Sequence, residues 1–181
     1  MPPYPYYATR SVIAEGLLSP EELARVRAAE PCVQGSCICS IGYEGLSLEN
    51  YLNRLLRHGV RVVCDVRKNP LSRKFGFSKT TLKYALENLG IEYRHFPQLG
   101  IVSDKRRKLT CQADYDALFA DYERTTLPPE QTTIKTLAKL LEEKERIALL
   151  CFEKLPQQCH RTRVLNAVLA YSTEGVPVYG E

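Results

Sequence analysis

Nowhere in its 181 residues does the chain offer about 18 consecutive apolar residues, the length a helix needs to cross a bilayer, so no membrane span is expected. The start, Met-Pro-Pro-Tyr-Pro-Tyr-Tyr-Ala-Thr-Arg, has neither the basic nor the apolar stretch of a secretory signal. The expectation is a cytoplasmic protein with no membrane partner. Glycine-rich phosphate loops are missing as well. Neither GxGxxG nor GxxxxGK(S/T) occurs, which removes the dinucleotide-fingerprint and P-loop readings. No internal repeat of roughly 20–50 residues is present, so a solenoid or propeller is excluded. Net charge is low: 25 Lys and Arg against 21 Asp and Glu give +4, too mild to mark the whole chain as a nucleic-acid binder.

What charge there is, however, is unevenly placed. From Val66 to Lys108 eleven basic residues face three acidic ones (Glu87, Glu92, Asp104), a local +8, which leaves −4 for the rest of the chain. Such an asymmetry raises a positive potential over one part of the surface and attracts anionic ligands. Seven cysteines are an odd number, and in a reducing compartment they are expected as free thiols. Cys64 and Cys151 sit in apolar runs and read as small buried hydrophobes. Cys32, Cys37 and Cys39 could offer thiolates to zinc, but their C-x4-C-x-C spacing is not a zinc-ribbon pattern and no second cluster follows. No metal is expected, and no cofactor is indicated.

Residues 1–36 read as an N-terminal extension with one helix, opened by Ser19-Pro20-Glu21-Glu22 with serine at the N-cap and proline at N1. Residues 37–181 read as the main domain. Strand-like runs at 37–43, 60–66, 91–96 and 146–152 alternate with helical patterns at 47–58, from Ser78 to Leu89, at 112–124, at 129–144 and at 159–171. The segment Val176-Pro-Val-Tyr179 reads as an edge strand because of its proline. This alternation predicts a single α/β domain with a mostly parallel, Rossmann-like sheet of four or five strands.

In such sheets ligands gather beyond the carboxyl ends of the strands. Those ends carry Gly42-Tyr43-Glu44-Gly45, then Asp65, Arg67, Ser72 and Arg73, then Arg94, His95 and Gln98, and finally Glu153 and Cys159-His160-Arg161. Asp65 and Arg67, two apart on a strand, point to one face, so Asp65 can aim the Arg67 guanidinium. Glu153 leaves an apolar strand and suits a general acid or base of raised pKa. Cys159 opens a helix beside His160 and Arg161, where a thiolate would be stabilised.

Several motifs also resemble the family called domain of unknown function 488: Ser40-Ile-Gly-Tyr-Glu-Gly45, Cys64-Asp-Val-Arg-Lys-Asn-Pro-Leu-Ser-Arg73, Phe75-Gly-Phe-Ser-Lys79, Gly90-Ile-Glu-Tyr93, Leu99-Gly100, Leu149-Leu-Cys-Phe-Glu153 and Cys159-His-Arg161. The resemblance spans about residues 37–172 and implies a shared strand-end site, but no reaction. A weaker similarity is to rhodanese-like domains, where a strand also ends in Asp-Val-Arg. Here, though, position 157 is Gln, where a phosphatase-type Cys-x5-Arg loop starting at Cys151 would place Arg.

The expectation is therefore an enzyme of hydrolase or transferase type acting on a phosphate-bearing anion, a nucleotide or a nucleic-acid end. Asp65, Glu153, Cys159 and His160 are the catalytic candidates. Gly42, Tyr43, Glu44, Gly45, Arg67, Ser72, Arg73 and Arg161 are the ligand-binding ones. Two alternatives stand beside it: non-catalytic nucleic-acid binding by residues 66–108, and thiol or sulfur transfer through Cys159.

Overall fold

The computed structural model describes residues 14–29, 31–107, 109–172 and 175–180; the Pro- and Tyr-rich start and Lys108 of the basic segment lie outside the described residues. Five strands form one all-parallel sheet: β1 (Cys37–Gly42), β2 (Val62–Asp65), β3 (Glu92–His95), β4 (Arg146–Cys151) and β5 (Val178–Gly180), in the order β3-β2-β4-β1-β5. The expected edge strand is β5, which pairs with β1 alone through Ile38, Cys39 and Ser40. The helices are α1 (Ala14–Leu17), α2 (Pro20–Ala28), α3 (Leu48–Arg57), α4 (Lys79–Glu87), α5 (Gln112–Thr125), α6 (Gln131–Lys144) and α7 (Arg161–Leu169). In the extension, the expected helix is α2, preceded by the single turn α1. Ser19 caps α2 in a reciprocal box with Glu22.

The strands are valine-, isoleucine- and leucine-rich because both faces of the sheet are covered. Their alternation sends Ile38, Val62, Cys64, Ile147 and Leu149 toward α5, α6 and α7. It sends Cys37, Cys39, Ile41, Val63, Ala148 and Leu150 toward α3 and α4. The amino ends of the strands are closed by Arg146, whose guanidinium donates to the carbonyls of Gln34, Gly35 and His58 at 3.0, 2.6 and 2.6 Å. The carboxyl ends are different. The chain leaves β2 toward β3, away from β4, and leaves β4 toward β5 on the far side of β1. Their exits therefore diverge and open a crevice between β2 and β4, the place where parallel sheets bind ligands.

Two glycines let the loops at this end come together. A Cβ on Gly42, the last residue of β1, would overlap the Glu153 carbonyl and lie 2.9 Å from Arg161 Nη1. A Cβ on Gly100 would come 2.4 Å from Lys68 Cα. Neither glycine can gain a side chain without displacing backbone that frames the crevice. Gly42→Ala is therefore expected to cost about 1–3 kcal/mol, the usual effect of overpacking. Urea denaturation checks this, and an unchanged midpoint would contradict the tight approach.

Candidate functional site

The crevice holds a pocket of about 440 Å³ lined by Tyr43, Arg67, Lys68, Asn69, Leu71, Ser72, Arg73, Lys74, Ile101, Ser103, Arg106, Cys151, Phe152 and His160. One wall grows from β2. Asp65 and Arg67 share a face, as expected, and both are buried. Arg67 Nε and Nη2 donate to the two Asp65 oxygens at 2.8 and 2.5 Å, its backbone N–H adds 3.1 Å, and Tyr93 Oη donates at 2.6 Å. Both oxygens of the Asp65 carboxylate are thus occupied. Asp65 is a positioning group here, with no free oxygen to exchange protons with a ligand. Arg67 Nη1 reaches on to Tyr43 Oη and to the Phe77 carbonyl, both at 2.9 Å. Burial alone would push the Arg67 guanidinium down, but the hydrogen bonds and charge of Asp65 more than reverse this and keep it cationic. Tyr43 lies flat on Phe77 with centroids 4.2 Å apart, and its hydroxyl touches Ser72 Oγ at 3.3 Å.

The loop after β2 is shaped by a capping serine used in an unexpected way. Ser78 stands at the N-cap of α4 but makes no side-chain cap. Its hydroxyl instead accepts from the Ser72 N–H at 3.1 Å and donates to the Ser72 carbonyl at 3.0 Å. That folds residues 72–78 back and turns Ser72, Arg73 and Lys74 into the pocket. Asp65 pairs with Arg67, Glu92 with Arg94, Glu87 with Lys83, Asp121 with Lys105, Asp104 with Arg107, and Glu153 with Arg106. Among the described residues no ion pair engages Lys68, Arg73 or Lys74, and no acidic side chain lines the pocket. Part of the local excess of positive charge, Lys68, Arg73 and Lys74, therefore stands at the pocket, while Lys79 lies apart on α4 with its Nζ 3.5 Å from His95 Nδ1.

The other wall grows from β4 and the start of α7. Cys151 is the last residue of β4, on the face of α5–α7. His160 is buried; its Nε2 lies 2.9 Å from the Val66 carbonyl and its Nδ1 3.8 Å from Cys151 Sγ. A carbonyl can only accept, so Nε2 carries the proton and Nδ1 faces the sulfur as acceptor, or as donor once the ring is charged. Glu153 Oε2 is 3.0 Å from the same sulfur, and its Oε1 pairs with Arg106 Nη2 at 2.5 Å. Burial pushes the Cys151 thiol up, yet hydrogen bonding from Cys159 and the charge and hydrogen bonds of His160 outweigh it and bring it well below the ordinary thiol value. His160 moves up despite its burial, because of Cys151. Glu153 is raised by burial and by Cys151, against the pull of Arg106. Cys159 is raised by burial and by its neighbour Cys151.

Several expected site residues hold the framework together without facing the pocket. Arg161 is fully buried: Nε donates to Ser40 Oγ at 3.0 Å, Nη1 to the Glu153 carbonyl and Nη2 to the Lys154 carbonyl at 3.1 Å. Its donors are taken up by β1 and the loop after β4. Glu44 is exposed and accepts from the Lys154 N–H at 2.9 Å, so it pins the same loop from the other side. Gly45 has φ +79° and makes a turn, while Gly42 is the close-packing point described above. Tyr43, Arg67, Ser72, Arg73 and His160 do line one cavity. Asp65 stands behind Arg67, and neither Glu153 nor Cys159 is among the lining residues.

The reading from sequence passed over Cys151, Lys68, Lys74, Arg106 and Phe152. Cys151 and Glu153 share the same two-residue offset that paired Asp65 with Arg67, and that was the available signal. The ligand atoms of Cys151, Glu153, Cys159 and His160 all lie within 4.8 Å of one another, a donor set that a thiophilic divalent cation could share. Cys32, Cys37 and Cys39 make no such group among the described residues.

The fold and this end of it define a parallel α/β domain with a basic, thiol-floored pocket at its topological switch point. The chain belongs to the family described as domain of unknown function DUF488, whose model matches residues 47–169. No curated protein and no solved structure matches the chain. None of its helices, among the described residues, is long and apolar enough to cross a membrane.

The Asp65–Arg67 pair supplies a direct check on this architecture. Asp65→Asn leaves a buried guanidinium uncompensated and is expected to cost about 3–5 kcal/mol. Adding Arg67→Met should recover much of that loss, because removing both charges also removes the unpaired one. Chemical denaturation of the single and double variants measures both. Purely additive losses would show that the pair is not coupled.

Proposed function

We propose that the protein is a hydrolase or transferase that takes a phosphate-bearing anion in this pocket and attacks it with the Cys151 thiolate. The observation that carries the reading is the placement of Cys151, in the pocket 3.8 Å from His160 Nδ1 and with three lining cations that have no ion-pair partner among the described residues. An anion entering the crevice would lose water and gain Lys68, Arg73 and Lys74, which favours it strongly over a neutral molecule. Arg67, held rigid by Asp65 and Tyr43, would present a fixed edge to it.

In the attack, the Cys151 sulfur forms a bond to phosphorus while the bond from phosphorus to the leaving oxygen breaks. His160, which lines the pocket, returns a proton to that oxygen. Water or a second hydroxyl acceptor then displaces the thiolate, giving hydrolysis or transfer. The sequence offered a reactive thiol only as an alternative, at Cys159; this reading places the nucleophile at Cys151. Phe152, exposed at the rim and edge-on to Tyr43 at 5.3 Å, offers an apolar face to the rest of the ligand. Non-catalytic binding of a long nucleic acid has less support, because Lys68, Arg73 and Lys74 share one pocket.

Calorimetry with inorganic phosphate and turnover of an aryl phosphate ester test this. Arg73→Ala and Lys74→Ala should each weaken phosphate binding about threefold to tenfold, as expected for part-exposed charge contacts. Cys151→Ser should keep phosphate affinity and lose turnover by several orders of magnitude. Turnover surviving in Cys151→Ser would contradict the assignment. So would a full equivalent of tightly held zinc in the purified protein, because the metal would then own the thiolate. Duplex DNA binding with a log–log salt slope much steeper than about −3 would favour the nucleic-acid alternative, since three phosphate contacts give roughly that slope.

A further inference from the structure

Cys159 forms and breaks no bond in the chemistry just described, yet its sulfur lies beside the one that does. It is completely buried, it does not line the pocket, and it lies within 4.8 Å of the Cys151 sulfur. Cys151 meets the pocket and is reachable by a small molecule, whereas Cys159 is not among the lining residues. All seven cysteines are free thiols in this structure. Cys64, in the same core, shows what an ordinary structural cysteine looks like here: it is buried in mid-strand, away from the pocket and from every other thiol in the Cys151 group.

We propose that Cys159 is a resolving cysteine: oxidation of Cys151 by a peroxide leads to a reversible Cys151–Cys159 disulfide. The geometry allows it with little movement. A disulfide needs its sulfurs about 2.05 Å apart, so they must close by less than about 2.8 Å, within reach of χ1 rotations. The backbone between them need not unfold. Residues 152–158 form a short irregular connection ending in the turn Pro156–Gln158, and Cys159 enters with extended φ and ψ of −128° and 131°.

The chemistry balances with a peroxide as the oxidant. The Cys151 thiolate attacks one peroxide oxygen, the O–O bond breaks, and the sulfur becomes a sulfenic acid while the other oxygen leaves as water after taking up a proton. The Cys159 sulfur then attacks Cys151, and the hydroxyl departs as a second water with the Cys159 proton. Two thiols are oxidised to one disulfide and one peroxide is reduced to two waters. The bond takes the pocket thiol out of use and shields it from the irreversible sulfinic state. An external dithiol restores both thiols. The proposal uses the same access of Cys151 to the pocket as the functional reading, but it depends on no particular substrate.

Peptide mass mapping of the full chain after brief hydrogen peroxide treatment and alkylation of the remaining thiols tests it. The expected product is one cross-link, Cys151 to Cys159, reversed by dithiothreitol, with Cys64 alkylated only after denaturation. In Cys159→Ser, or Cys159→Ala if the serine does not fold, Cys151 should turn from a cross-linked residue into one mainly recovered as sulfinic acid. Cys151 reaching sulfinic acid in the unaltered chain, with no cross-link, would overturn the proposal. So would oxidation confined to the exposed Cys32 and Cys111. The readout is mass and not turnover, so absence of activity on phosphate esters leaves this result intact, and absence of the cross-link leaves the functional reading standing.

Discussion

One hydrogen bond, from His160 Nε2 to the Val66 carbonyl at 2.9 Å, joins the exit of β2 to the start of α7 and fixes which face the imidazole turns to Cys151. Its strength comes from burial: neither group meets water, so leaving the pair unmade would cost the full desolvation of both. The sheet order makes it available. β2 and β4 are neighbours whose connections run apart, so the first turn after each strand faces an open crevice and not another loop. Without that divergence, Val66 and His160, 94 residues apart, would have no reason to meet.

Around this pair the charges are sorted by partner. Asp65 holds Arg67, and Glu153 holds Arg106, so two of the pocket's guanidinium groups are anchored parts of the wall. Arg161 and Glu44 hold the loop after β4 from opposite sides, through the backbone of Glu153 and Lys154. The cations that remain at the mouth are Lys68, just after β2, and Arg73 and Lys74, brought there by the Ser72–Ser78 hydrogen bonds. Framework and pocket-facing charges are thus different residues, and a charge in the sequence says little about which of the two it serves.

That distinction marks how far the sequence could be read. The α/β class and the parallel sheet followed from periods of apolar residues, because burial on both faces leaves a clear pattern, and the edge strand followed from its proline. The end of the sheet that carries the site was legible for the same reason: polar residues follow each strand. Which of them face the ligand was not, since Arg161 and Arg73 look alike in sequence. Their difference lies in contacts with Ser40, Glu153 and Lys154 that only tertiary structure creates. Cys151 was taken for a small core residue because its strand is apolar up to that position; its meeting with His160 depends on where α7 begins. The DUF488 resemblance pointed to the motifs at this end of the sheet without ranking them.

The central claim is that Cys151 is a reactive thiolate at the floor of an anion pocket, and its alkylation measures this most directly. Iodoacetamide at neutral pH, followed peptide by peptide, should label Cys151 faster than Cys64 or Cys159, and millimolar inorganic phosphate should slow that labelling specifically. If Cys151 reacts no faster than Cys64, or if phosphate leaves its rate unchanged, the site does not work as described.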